Sequence, residues 1–200
     1  MNRYFTSVLA AFVVTTLLQA QDGRAMMPRF PILALEDVQK ELKLSADQIS
    51  KIKDIIGDVV KEGPNGSIEM MIQIHPGTDF NGMDVEVSKL LNEKQRQRFK
   101  EVWLQSTGGR AIIKDDIAKE IGITKVQQAK IVEMQEELKS QMRELAIQPG
   151  EVVKKDAEMK KMQKEWEEKI EKQLTKEQQA KWAAMKGAKF EKQVAKSSPK

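Results

Sequence analysis

One five-residue pattern, met four times, constrains this chain more than any other feature. Leu44-Ser45-Ala46-Asp47-Gln48 recurs as Leu91-Asn92-Glu93-Lys94-Gln95, as Ile123-Thr124-Lys125-Val126-Gln127 and as Leu174-Thr175-Lys176-Glu177-Gln178. Each copy places a large apolar residue first, Ser, Asn or Thr second, and Gln fifth. That order is the grammar of a helix start. The Ser, Asn or Thr side chain accepts from a free backbone N–H of the first turn, and the Gln three residues on reaches back to the N-cap N–H. Four such signals imply at least four separately initiated helices.

Each copy continues in the same way. Three residues after the Gln stands a base: Lys51, Arg98, Lys130 or Lys181. The next residue is a large apolar group: Ile52, Phe99, Ile131 or Trp182. Another follows three positions later: Ile55, Val102, Met134 or Met185. In the first copy Leu44 and Ile49 also fit a hydrophobic staple. In the others the later position is polar (Arg96, Gln128, Gln179).

The copies pair at long range. Asp37-Val38, Lys40-Glu41-Leu42 and Leu44-Ser45 match Asp116-Ile117, Lys119-Glu120-Ile121 and Ile123-Thr124, an offset of 79 residues from Leu44 to Ile123. The second and fourth copies are offset by 83, from Leu91 to Leu174. A period of this length reads as a duplicated unit. The expected organisation is an export signal over 1–20, a linker over 21–30, a first helical unit over 31–107, a second over 108–190 and a basic flexible tail over 191–200.

Between the caps the periodicity is helical. Ile49, Ile52, Ile56 and Val59 share one face, ended by Gly63-Pro64-Asn65-Gly66. Ile68 to Ile74 is apolar-rich, short and ambiguous, and His75-Pro76-Gly77 breaks it. Met83, Val87 and Leu90 lead helically into the second copy. In the second unit Ile131, Met134, Leu138, Met142 and Leu145 form one stripe and Met159, Met162, Trp166, Ile170 and Leu174 another, joined through Pro149-Gly150. So short a connection predicts antiparallel neighbours. The expected fold is all-α: elongated antiparallel, coiled-coil-like helical hairpins from two duplicated units, each helix opened by a capping box.

The N-terminus reads as an export signal. Arg3 precedes an apolar run from Val8 to Leu18, and Ala20 offers a cleavage point before Gln21. That run falls short of the roughly 18 residues a membrane anchor needs, which favours a cleaved signal over the alternative of an uncleaved anchor, and no later stretch is long enough to span a bilayer. The chain has no Cys, so disulfides, thiol catalysis and Fe–S ligation are excluded. Charged residues make up 32% and aromatics 5%, a ratio suited to long solvated helices. The net charge of +4 is mild. Its excess sits at the end, where Lys186, Lys189, Lys192, Lys196 and Lys200 face only Glu191. That stretch reads as a solvated tail, or as contact with a negative partner.

Repeated Leu-Thr-x-x-Gln at helix starts, in a Lys/Glu-rich, Met-bearing chain with an export signal, resembles the Spy/CpxP family of periplasmic proteins. Leu174-Thr175-Lys176-Glu177-Gln178 is an intact match; Leu44-Ser45 and Ile123-Thr124 are near matches, and Leu91-Asn92 is looser. Members usually carry two such motifs; here there are four, and residues 63–82 lie outside the likeness. The resemblance implies a curved, all-helical, often dimeric cradle that acts as an ATP-independent chaperone or envelope-stress modulator. Two units in one chain could stand in for the dimer.

Chemistry-bearing constellations are sparse. His75 is the single His, before Pro76 in a turn, and cannot build a zinc site alone. Asp115-Asp116 and Glu136-Glu137 are adjacent and diverge by about 100° on a helix, which suits solvated faces rather than catalytic dyads. No catalytic residue, cofactor site or metal site is therefore expected. Met26-Met27, Met70-Met71, Met159 and Met162 fill cores or form an adaptable binding surface; Trp103, Trp166 and Trp182 follow core spacing. The functional expectation is an exported, periplasmic or secreted, non-enzymatic helical protein. Its partners would be unfolded or envelope proteins, on a face rimmed by Lys51, Arg98, Lys130 and Lys181; a homodimer is compatible, and nucleic acid is not expected. The alternative is a structural or regulatory module of the envelope that docks one folded partner through a helical face.

Overall fold

The structure, a computed structural model, describes residues 28–57, 60–63, 67–70 and 79–191. The export signal, most of the linker, His75 and Lys192, Lys196 and Lys200 lie outside them. The fold is all-α, with eight α-helices and one short β-hairpin among the described residues. No described helix is long and apolar enough to cross a membrane. The chain divides into two compact units: residues 28–105 with 186–191, and residues 106–185.

The first unit opens with a 3-10 turn, Phe30–Ala34, whose free N–H groups at Arg29 and Phe30 donate to the Asp84 carboxylate at 2.8 Å. Helices α1 (Glu36–Glu41) and α2 (Ala46–Ile56) follow. Strands β1 (Val60–Gly63) and β2 (Ser67–Met70) pair antiparallel, from Val60 with Met70 to Gly63 with Ser67. Then come α3 (Phe80–Leu90) and α4 (Glu93–Thr107). Phe30 stacks on Phe80 with ring centroids 6.0 Å apart, and the Arg29 guanidinium lies 4.9 Å over Trp103. Leu33, Val38, Ile52, Val87 and Leu91 fill the space between.

Two expectations need correction here. The first capped helix stops at Ile56, and Val59 lies outside the described residues. Gly57 ends it, as expected of a weak helix former, and Val60 enters a strand, as β-branched residues favour. Gly63, expected to help end a helix, instead pairs with Ser67 in the hairpin, and Pro64-Asn65-Gly66 lie outside the described residues. Capping boxes also do not open every helix. They open α2, α4 and two helices of the second unit. Helix α3 is capped by Asp79, which accepts from the Gly82 N–H at 2.9 Å without the reciprocal bond. Helix α1 starts with no side-chain cap and carries Glu36 and Asp37 in its first turn, which complement the helix dipole.

The second unit repeats the opening of the first. A 3-10 turn, Gly108–Ile113, precedes α5 (Asp115–Ile121), which also lacks a side-chain cap. Helix α6 (Lys125–Ile147) and α7 (Val152–Glu171) are much longer than α2 and α3; α7 has no side-chain cap either. They pack side by side. Lys155 Nζ reaches the Ala146 carbonyl at the turn, and Gln127 Nε2 reaches the Gln173 carbonyl at the far end, so the two helices run antiparallel. Helix α8 (Lys176–Met185) closes the unit. Ile131, Leu138, Met142, Trp166, Ile170 and Trp182 are buried along these helices.

The backbone correspondence extends to the turns. Lys43, at φ +50°, is the one non-glycine residue with positive φ among the described residues, and the position 79 residues on is Gly122, at φ +81°. The Leu44 N–H bonds the Gln39 carbonyl and the Ile123 N–H bonds the Ala118 carbonyl, the same bond at the same offset.

Candidate functional site

All four sequence motifs form the reciprocal caps that their composition predicts. The Gln48 N–H donates to Ser45 Oγ at 3.2 Å, while Gln48 Oε1 accepts from the Ser45 N–H at 3.0 Å. Asn92 with Gln95, Thr124 with Gln127 and Thr175 with Gln178 repeat the exchange within 2.9–3.2 Å.

The glutamines do more than cap. Gln48 Nε2 donates to Gln95 Oε1 at 2.9 Å and Gln95 Nε2 returns a bond to Gln48 Oε1 at 3.1 Å. In the second unit Gln127 and Gln178 exchange the same two bonds at 2.9 and 3.1 Å. Each remaining amide hydrogen reaches the loop before the partner's cap. Gln48 donates to the Leu90 carbonyl and Gln95 to that of Leu42, at 2.7 and 3.2 Å. Gln127 donates to Gln173 and Gln178 to Gly122, at 2.8 and 2.7 Å. A primary amide has two acceptor lone pairs and two donor hydrogens, and all four are used in every one of these side chains.

This explains why the fifth position holds Gln in every copy. A capping box accepts Glu as readily as Gln. A pair of Glu side chains would set two negative charges together and remove all four donors. Gln95 and Gln178 are buried, Gln48 and Gln127 half-buried, so lost donors would strand carbonyls away from water. The residue after the second Gln of each pair also serves the preceding turn. Arg96 Nη1 donates to the Leu91 carbonyl. Gln179 Nε2 donates to that of Leu174 at 3.3 Å.

The apolar residues after each motif divide by depth. Ile52, Phe99, Ile131 and Trp182 are all buried. Of the next set only Val102 is; Ile55, Met134 and Met185 are half-buried. Leu91 and Leu174 are buried at the head of their motifs, and Leu44 and Ile123 half-buried.

The four candidate rim bases have unlike surroundings. Lys51 pairs with Asp47 at 2.8 Å and Lys181 with Glu177 at 2.9 Å, both one turn apart on exposed faces. Lys130 is exposed and makes no ion pair with a described residue. Arg98 is drawn inward: its side chain is 19% exposed and it bonds Glu41 and Glu101, at 2.7 and 2.8 Å. Burial pulls the Arg98 guanidinium down, but hydrogen bonds to Glu101 and Glu41 outweigh it and leave the group above its ordinary value.

A shallow cleft lies between α6 and α7. Leu138 and Trp166 form its floor, half-buried Met134 and Met162 flank it, and Glu137, Gln141, Glu165 and Lys169 edge it. At about 50 Å³ it is far below the several hundred Å³ of a small-molecule pocket. Trp166 Nε1 on α7 and Gln135 Oε1 on α6 are buried with no hydrogen-bond partner among the described residues, a costly state for a polar atom. Among the described residues no three His, Asp or Glu side chains gather as a metal site requires.

No family model matches the chain, and no curated protein or solved structure matches it significantly.

Proposed function

We propose that the chain is an exported helical binding protein of the Spy/CpxP kind, acting as an ATP-independent chaperone or envelope-stress adaptor. The observation that carries this reading is the methionine-flanked cleft of the α6–α7 hairpin. Met side chains are flexible and polarisable and adapt to irregular apolar partners, and Met134 and Met162 are neither fully buried nor fully exposed. Mixed charges at the rim, Glu137, Glu165 and Lys169, suit transient capture of segments of varied sequence. The Leu-Thr-x-x-Gln grammar, the internal duplication and the N-terminal signal with a cut after Ala20 support the same reading. On this reading the mature protein works in the periplasm or outside the cell. The four caps are scaffold in this proposal, and the helical faces are the working surface.

The test uses residues 21–200 added without ATP to an unfolding reporter protein, with aggregation followed by light scattering. Suppression near equimolar ratio is the expected result, reduced several-fold by Met134→Ser with Met162→Ser. No suppression by a helical, cooperatively folded protein would overturn the chaperone reading. It would favour a structural or regulatory module with one dedicated envelope partner, to be sought by crosslinking.

A further inference from the structure

The stretch Lys186–Glu191 is non-helical and expected to be solvated, yet it is held against α4 of the first unit. Gln105 does most of the holding. Its Nε2 donates to the carbonyls of Lys186 and Ala188, at 2.6 and 2.8 Å, and its Oε1 accepts from the Phe190 N–H at 2.7 Å. Arg98 Nη1 adds a second bond to the Ala188 carbonyl at 2.7 Å. Gly187 has φ +60°, and a Cβ there would clash with the Glu101 carboxylate. That carboxylate is itself fixed by Arg98 at 2.8 Å and Gln97 at 3.0 Å. Arg98, Glu101 and Gln105 share one face of α4, three and four residues apart.

Each of these hydrogen bonds goes to backbone of the segment, not to its side chains. A Gln side chain carries a donor and an acceptor side by side, so it can serve both carbonyls and an N–H of a turn in the main chain. Sequence enters at a glycine where the backbone touches Glu101, and at the half-buried aromatic ring of Phe190 three residues on. The hold is thin. Gly187, Ala188 and Lys189 remain exposed, and few contacts offset the ordering of the segment. The arrangement is also no part of the repeated fold. At the offset of 83 residues, Arg98, Glu101 and Gln105 correspond to Lys181, Ala184 and Ala188, which carry no such strip.

We propose that this face of α4 is a binding site for the main chain of a turning polypeptide segment, filled by the chain's own Lys186–Glu191 as a detachable strap. The competing ligand is a segment of another polypeptide with a glycine three residues before an aromatic. The strap keeps the site closed until such a segment displaces it. This holds whether or not the α6–α7 cleft captures clients.

The probe is a blocked synthetic peptide, Lys-Gly-Ala-Lys-Phe-Glu, titrated into the full chain and read by NMR on the α4 amides and by hydrogen exchange of the Phe190 amide. In Gly187→Ala, Phe190 exchange should rise at least tenfold while the Ile52 and Leu104 amides are unchanged. The peptide should bind that variant at least tenfold more tightly than the unmodified chain, and adding Gln105→Ala should abolish binding. Equal affinity for both chains, no binding to the opened variant, or binding that survives Gln105→Ala would overturn the proposal. The unmodified chain provides a check that needs no variant. Excess peptide should accelerate Phe190 exchange by displacing the strap, and unchanged exchange at saturating peptide would also overturn it.

Discussion

Gln48 and Gln95 lie amide to amide, each donating to the other, at 2.9 and 3.1 Å, while each also closes the capping box of its own helix. One side chain therefore starts a helix and fastens that start to another. Gln127 and Gln178 repeat the relationship in the second unit. The two functions have different chemical requirements, and that difference makes them separable by substitution.

Gln95→Glu and Gln178→Glu retain a competent capping residue but lose two donors each. Capping alone predicts almost no change; the clasp predicts a loss of about 3 kcal/mol at neutral pH. The introduced carboxyl is buried among acceptors, so its folded-state pKa lies above its unfolded value. The loss is therefore smallest in acid, where the group is protonated in both states. It grows as pH rises above the unfolded value of about 4.3. Urea unfolding over a pH series, followed by helical circular dichroism, checks both size and sign.

Lys43 and Gly122 occupy equivalent left-handed positions, at φ +50° and +81°. Only the second has the residue type that conformation favours. Lys43→Gly should stabilise the protein by about 0.5–1 kcal/mol and Gly122→Ala should destabilise it by about 1 kcal/mol. Space does not confound the second change, since a Cβ at Gly122 meets no atom within 4 Å. Thermal melts of the two variants measure the pair.

Depth along α2 separates two isoleucines that sequence treats alike. Ile52 is 1% exposed whereas Ile55 is half-buried. Ile52→Ala should cost about 3 kcal/mol and Ile55→Ala less than half of that. Denaturant midpoints at equal slope distinguish them.

Glu177 is held below its ordinary carboxylate value by a hydrogen bond and charge attraction from Lys181. A depressed folded-state pKa contributes stability that is fully present above the unfolded carboxyl's value of about 4.3 and is lost as pH falls through the folded pKa. Because the pair is exposed, the contribution should be small and should disappear in high salt. Comparing Glu177→Gln with the unmodified chain at low and high salt, above and below that pH, tests this.

Much of the architecture was legible because it is local. Capping depends on residues three apart, so all four boxes could be read from Ser45, Asn92, Thr124 and Thr175. The stripes ending at Leu145 and Leu174 needed only helical periodicity and a short turn to imply the α6–α7 hairpin. What escaped was what depends on neighbours distant in the chain. A capping box does not reveal that its Gln meets another Gln 47 or 51 residues away. The one signal was statistical: four Gln and no Glu where either would cap. Val59 reads as helix because its apolar spacing continues the α2 face, whereas Val60, the next residue, lies in β1. Only pairing with β2 shows the strand. Arg98 looked equivalent to Lys51 and Lys181 until Glu41, 57 residues back, and Ala188, 90 residues on, drew it inward.

The most direct test of the clasp is a double-mutant cycle on Gln127 and Gln178. Each is replaced by Ala singly and then together, and stability is measured by denaturant unfolding. Each single change leaves the partner amide with a stranded donor and acceptor, which the second change removes. The account predicts that the double variant is less destabilised than the sum of the singles by about 1–2 kcal/mol. Additivity within about 0.5 kcal/mol would contradict it and reduce the four motifs to independent helix caps.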